Sequence, residues 1–332
     1  MVKVPKGYRS KNVRDERGSS GGGSRSGFGF PSGGSSGGGS LGGLGGLGGA
    51  LGGAAGAGGA KRRGCGCGGI GLIVMLVVLA LLFFSCVNSG SSISTADSDA
   101  GSNGSVAADN STLNTSPATD GELGEAEDLV NFVLDDVQDF WTDAFAENNL
   151  GPYPPSTLVL FDDDVVTGGC GSATSAVGPF YCPADSRAYI DLVYMIRLQR
   201  QLGAEGDFSQ AYIVAHELGH HVQNVLGIND AVRRAQSGVS QADSNGLNVL
   251  LELQADCYAG AWARSADDRG LLDEGDLTEG VRAADAVGDD AITGNTNQEN
   301  FTHGSSAQRV EWFQRGFDSG VNFCDTFDGA LG

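Results

Sequence analysis

Histidine is scarce in these 332 residues, four in all, and three of the four fall in one run, Ala215-His216-Glu217-Leu218-Gly219-His220-His221. On a helix, residues four apart share a face, so His216 and His220 can offer two imidazole nitrogens to one divalent ion at about 2.0–2.1 Å. Glu217 follows His216 by about 100° of helical rotation, which sets its carboxylate beside such an ion rather than on it, where it can hold and deprotonate a water. This is the HExxH pattern, which by itself also occurs by chance on ordinary helix surfaces. Here Tyr212, Ile213, Val214, Ala215, Leu218 and Val222 make the flanks largely apolar, so a solvated face is a poor reading. Two imidazoles and a carboxylate buried without a partner cost on the order of several kcal/mol, which a divalent cation offsets. His221, about 100° further round from His220, is expected to pack or hydrogen-bond beside the site rather than to replace a ligand.

A third ligand is expected downstream. Glu252-Leu253-Gln254-Ala255-Asp256 places two carboxylates four residues apart, on one face of the next long helical stretch. One carboxylate can complete a site of two histidines and a carboxylate with an open fourth position. The other can accept the free ring N–H of a ligand histidine and fix its tautomer. In so acidic a chain the bland alternative is a solvated acid pair; Leu250, Leu251, Leu253, Ala255 and Tyr258 around them argue for burial.

These side chains need a scaffold, and the hydrophobic periodicity supplies one from about residue 121 onward. Leu129, Phe132, Val133, Val137, Phe140, Trp141 and Phe145 mark an amphipathic helix over about 125–147, ended by Pro152, Pro154 and Pro155. Short β-type runs follow at 157–161 and 189–193, with 180–182 as an edge piece. Helical stretches come next at 194–201, 208–226, 247–266 and 277–286. A few strands among many helices imply an α+β fold. The Asp162-Asp163-Asp164 run is a calcium candidate but reads better as solvated loop charge.

The first third of the chain is different in kind. Residues 1–67 are Gly- and Ser-rich, with Leu-Gly-Gly repeats between Leu41 and Gly53, and read as a disordered cytoplasmic arm. Ile70–Val87 is an uncharged apolar run preceded by Lys61, Arg62 and Arg63. A single membrane-spanning helix over 68–87 is therefore expected, with the basic side in the cytoplasm and the domain extracytoplasmic. A cleaved leader fits less well, because the segment ahead of the run is too long; a lipoprotein-type site at Cys86 is a minor alternative. Residues 88–120, rich in Ser, Thr and Asp, read as a flexible stalk, and residues 121–332 as the folded domain. The net charge of −21 disfavours nucleic acid as a partner. Cys170, Cys182, Cys257 and Cys324 lie in the domain; an oxidising compartment allows three connectivities, of which Cys170–Cys182 with Cys257–Cys324 is favoured, because the first pair brackets a turn-rich stretch. Free buried thiols are the alternative.

The sequence resembles the putative neutral zinc metallopeptidase family of single-pass bacterial membrane proteins over roughly residues 151–323. The resemblance rests on Gly178-Pro179-Phe180-Tyr181-Cys182-Pro183-Ala184-Asp185, on Gln210-Ala211-Tyr212-Ile213-Val214-Ala215 leading into the histidine run, and on Glu252-Leu253-Gln254-Ala255-Asp256-Cys257. It implies a zincin-like domain, Zn2+ and hydrolysis of peptide or protein substrates. Set beside the spacings, that gives His216, His220 and Glu252 as metal ligands, Glu217 as general base and Asp256 as the residue orienting a ligand histidine. A further similarity, of Thr302-His303-Gly304 and Arg309 to the Thr-His-Pro segment and downstream Arg of other membrane zinc proteases, implies an oxyanion-stabilising role for His303, although Gly304 replaces the proline. Against an enzyme stand two other classes: a zinc-binding envelope scaffold or adaptor that cleaves nothing, and a membrane organiser acting through the arm. Glu217, which a non-catalytic site does not need, weighs against the first.

Overall fold

The computed structural model describes residues 2–18, 117–201, 206–329 and 331. Its strands are β1 (Val13–Asp15), β2 (Thr157–Leu160), β3 (Asp164–Val166), β4 (Ser172–Thr174), β5 (Phe180–Cys182) and β6 (Arg187–Ile190). Four of them form one sheet in the order β1-β2-β6-β5, in which only the β5–β6 pairing is antiparallel; β3 and β4 form a separate antiparallel pair. Leu158, Val159, Leu160, Ala188, Tyr189 and Ile190 are buried on both faces of the sheet, which is why β2 and the end of β6 read as continuous apolar runs.

The helices are α1 (Asp120–Glu147), α2 (Leu192–Gln201), α3 (Asp207–Val225), α4 (Ile228–Ala235), α5 (Gln241–Asp268), α6 (Asp276–Ala286), α7 (Asp289–Thr293) and α8 (Ser306–Ser319). The mixture of helix and sheet agrees with the α+β expectation. Helix α1 starts earlier than its apolar stripe suggests because Thr119 and Glu122 form a capping box, each satisfying the other's backbone N–H. Leu129, Val130, Val133, Leu134, Val137, Trp141 and Phe145 form its buried stripe, and Trp141 meets Tyr258 of α5 edge-on at 4.9 Å. Fully burying each such side chain contributes about 1.5–3 kcal/mol.

The helices behind the site sit unusually close together. A Cβ built on Gly260 of α5 would lie 2.0 Å from the carbonyl oxygen of Phe313, and one on Gly316 of α8 would lie 1.9 Å from that of Cys257. Only glycine permits that backbone contact, so α5 and α8 pack as one rigid support. Both favoured disulfides are present, Cys170–Cys182 and Cys257–Cys324. The second spans 67 residues and ties α5 to Cys324, just after the short 3-10 turn Val321–Phe323.

Two expectations about the first third need correction. Residues 2–18 are not part of a disordered arm: Val2 is in the main hydrophobic core and β1 pairs with β2 along Val13–Leu158, Arg14–Val159 and Asp15–Leu160. No periodicity could announce a three-residue strand with two charged members. Thr119 and Asp120 likewise belong to the capped start of α1 rather than to a stalk. Residues 1, 19–67 and 88–116 of the expected arm and stalk, and the whole expected membrane span at 68–87, lie outside the described residues. Among the described residues no helix is long and apolar enough to cross a membrane.

Candidate metal centre

Helix α3 carries the HExxH run and α5 carries the two acids, and small residues bring them together. A Cβ on Gly219 would stand 3.0 Å from the Cα of Ala255, so the two backbones nearly touch midway between the histidines and the carboxylates. As a result one donor atom each of His216, His220 and Glu252 lies within 4.8 Å of the others. Nε2 of His216 is 3.2 Å from one Glu252 oxygen and Nε2 of His220 is 3.4 Å from the other. The three residues expected as ligands from the spacing and the family resemblance therefore converge.

The outward ring nitrogens are held as well. Nδ1 of His216 is 2.9 Å from Asp256 Oδ1, and Nδ1 of His220 is 2.8 Å from Gln223 Oε1. Gln223 must present its oxygen there, because its amide nitrogen donates to the Leu251 carbonyl at 2.7 Å and to Gln254 at 3.1 Å. Both partners are acceptors, so each histidine carries its proton on Nδ1 and turns an Nε2 lone pair inward. Two imidazole lone pairs and one carboxylate are a donor set suited to zinc, with no further described acid or histidine needed to complete it. Gln223 lies two residues past the histidine run, and its role in fixing His220 has no signature in sequence, because it depends on where the α5 carbonyls fall.

Asp256 is fully buried and is the most heavily bonded group of the site. It accepts from Tyr212 Oη at 2.5 Å and takes both Nε and Nη2 of Arg309, at 2.7 and 2.9 Å, in a bidentate pair. Arg309, itself 4% exposed, also donates to the Val287 carbonyl at 3.2 Å and to Tyr212 Oη at 3.2 Å. Burial alone would raise the Asp256 carboxyl, but Arg309 and His216 outweigh it and hold it below the usual carboxylate range. The same competition runs through the trio. Burial opposes charge on His216, yet Asp256 and Glu252 pull its pKa up to about 9. Burial would also raise Glu252, yet the two histidines hold it well below the usual carboxylate range. The carboxylates' pull on the histidine protons is the same electrostatic demand that a divalent cation would meet. Glu217 is the exception: burial pushes its carboxyl up and the neighbouring histidines only partly offset that, the direction a general base needs.

His303 precedes α8 and is organised by Asp289 at the start of α7. Asp289 Oδ2 accepts the backbone N–H of Thr302, His303 and Gly304 at 2.6, 2.7 and 3.2 Å, while its Oδ1 is 3.0 Å from His303 Nδ1. The proximity of His303 is among the causes that hold Glu252 low. The replaced proline has a structural reason. Gly304 has φ +89°, which a proline ring cannot adopt. Asp289 is the residue that sequence reasoning missed here; its only trace is an acid at a helix start, too common to mean anything alone.

His221 turns away from the trio, as expected. Its Nε2 is 2.7 Å from the Pro154 carbonyl, its Nδ1 is 2.9 Å from Tyr181 Oη, and its ring is edge-on to Tyr153 and Tyr181. Burial lowers the pKa of this imidazole. Asp162 takes the backbone N–H of Gly18 at 3.0 Å.

The putative neutral zinc metallopeptidase family model matches residues 3–327 of the chain. YpfJ, an uncharacterised protein of Escherichia coli (strain K12), is 42% identical over 262 residues, which cover 77% of this chain and 86% of that protein. An uncharacterised protein of Mycobacterium tuberculosis (strain H37Rv) is 46% identical over 204 residues, covering 57% of this chain and 68% of that one. No solved structure matches. With a match over nearly its whole length, the chain belongs to the putative neutral zinc metallopeptidase family.

Proposed function

We propose that this domain is a zinc-dependent peptidase in which His216, His220 and Glu252 hold the ion and Glu217 is the general base. The observation that carries the reading is the pair of locked histidines. Asp256 and Gln223 hold both Nδ1 protons outward, so two Nε2 lone pairs and the Glu252 carboxylate meet at one buried point. Zinc there supplies Lewis acidity and lowers the pKa of a bound water.

The rest of the chemistry belongs to the chain. Glu217, raised by burial, accepts the proton of the attacking water and returns it to the leaving amine. Asp256, clamped by Arg309 and Tyr212, keeps the His216 ring in position as charge redistributes. As an imidazolium, with its Nδ1–H on Asp289, His303 can offer the Nε2–H to the oxyanion of the scissile carbonyl. Substrates are peptides or proteins. The two disulfides support an oxidising, extracytoplasmic setting for the domain.

The test is zinc content by elemental analysis together with cleavage of a mixed peptide library by the chain and its Glu217→Gln variant. One zinc in each, with cleavage lost in the variant, is the expected result. Undiminished cleavage by Glu217→Gln would overturn the base assignment, and zinc without cleavage by the unaltered chain would favour a scaffold.

A further inference from the structure

Residues 2–18 are interlocked with the domain along their whole length. Val2 is 5% exposed in the main core and donates its backbone N–H to Asp207 at 2.7 Å. Lys3 N–H donates to the Leu271 carbonyl at 3.0 Å, and its Nζ reaches the Gly270 carbonyl at 2.8 Å. Tyr8 stacks edge-on against Phe132 at 5.4 Å and donates to Asp135. Ser10 binds Asn131 through its backbone and Asp135 through its hydroxyl. The ladder of β1 with β2 is extended at both ends, by Leu158 N–H to the Asn12 carbonyl and by Glu16 N–H to the Leu160 carbonyl. Gly18 N–H ends the contact on Asp162.

The charges are matched as well. Arg9 pairs with Glu127 and Asp128, and Arg17 with Glu127, so the basic segment lies on an acidic face of α1. Without β1 the apolar strand β2 would be an open sheet edge, which folded proteins avoid. An independent observation agrees: the family match starts at residue 3, so this segment belongs to the shared pattern rather than to a variable leader.

A backbone ladder requires both strands on the same side of a bilayer. We infer that residues 2–18 share one compartment with the domain. A single crossing by the intervening 18-residue apolar run, Ile70–Val87, would separate the two and forbid β1 from pairing with β2. Nor can the run cross twice, because 18 helical residues span only about 27 Å. The inference thus replaces the expectation of a cytoplasmic start with an extracytoplasmic domain, and it stands independently of whether the metal centre hydrolyses peptides.

The experiment labels cysteines in cells expressing the full chain, with Cys65, Cys67 and Cys86 changed to Ser and the domain disulfides intact. Single cysteines are placed at two exposed positions, Lys11→Cys and Glu274→Cys, and a membrane-impermeant maleimide is applied before and after lysis. The expected result is that both positions behave alike: both labelled in intact spheroplasts, or both only after lysis. Labelling of one in intact spheroplasts and of the other only after lysis would overturn the inference and restore a single crossing. In a companion variant, Ser10→Cys with Asp135→Cys, a thiol-specific cross-linker should join residues 10 and 135 within one chain before lysis. Failure to cross-link, with both thiols reactive, would likewise count against docking.

Discussion

Asp256→Asn is the sharpest test of how the metal centre is supported. The substitution keeps shape and volume but removes one buried charge and turns one acceptor oxygen into a donor. In the native chain both oxygens are occupied, Oδ2 by Arg309 Nε and Oδ1 by Tyr212, Arg309 Nη2 and His216 Nδ1, every one of them a donor. Whichever way the amide turns, its NH2 therefore faces donors. Among the described residues Arg309, 4% exposed, is left with Glu252 at 3.8 Å as its one ion-pair partner. Breaking a buried pair from one side costs about 3–5 kcal/mol. For a domain of this size that corresponds to a fall in Tm of roughly 6–20 °C. Replacing the carboxylate on His216 Nδ1 by at best a neutral amide oxygen should also weaken zinc binding about 10–100-fold. A double variant, Asp256→Leu with Arg309→Met, separates the two effects, because removing both charges can restore stability while no acceptor is left on His216 Nδ1. Melting followed by circular dichroism and zinc competition against a chromogenic chelator read the two quantities. Native Tm and native zinc affinity in Asp256→Asn would refute the argument, and restored zinc affinity in the double variant would refute the role given to the Asp256–His216 bond.

Four further outcomes are expected. His303→Ala should lower kcat by about 10²–10³ with zinc content unchanged, as for loss of an oxyanion donor; an unchanged kcat would remove His303 from the reaction. Asp289→Asn should lower kcat in the same direction and, by loosening the turn at 302–304, increase hydrogen exchange at those amides, which an Asp289 without that role would leave protected. Replacing Cys257 and Cys324 together by Ala should cost about 4 kcal/mol of stability by the chain-entropy estimate for a loop of this length, read by urea melts with the native chain oxidised. In metal-free protein, the folded-state pKa of His216 at about 9 lies above its unfolded value of about 6.5, so the stabilisation from its protonation is complete below pH 6.5 and is lost as pH rises through 9. Metal-free Tm should therefore fall across that window, and zinc binding at neutral pH should release protons, measurable by calorimetry in buffers of different ionisation heat; no proton release would contradict the assignment.

Much of the chemistry was legible in one dimension because helical periodicity is a local property. Residues four apart must share a face, so His216 with His220 and Glu252 with Asp256 were paired before any fold was known, and the apolar flanks announced their burial. The two long helices, the strand at 157–160 and the disulfide pairing were visible as well, whereas the β-type run expected at 189–193 overlaps β6 only at residues 189–190, because α2 already begins at Leu192. Other elements left no such trace. Strand β1 has three residues and two charges, β3 and β4 are equally short, and α8 carries a mixed pattern whose decisive residue is a buried Arg309.

What the sequence determined by itself was the inventory of the site: which side chains can ligate, which can take a proton, and which helices carry them. Only the tertiary structure decided how that inventory is poised. Gly219 against Ala255 sets the distance between ligand helices, Gln223 and Asp256 choose the tautomers, and Asp289 organises His303. It also decided that residues 2–18 belong to the domain. The physical reason is the range of the interactions. Periodicity and capping act over a few residues and are written in order along the chain. A backbone ladder between residues 13 and 158, or a guanidinium clamped on a carboxylate 53 residues away, exists only once distant segments are packed together.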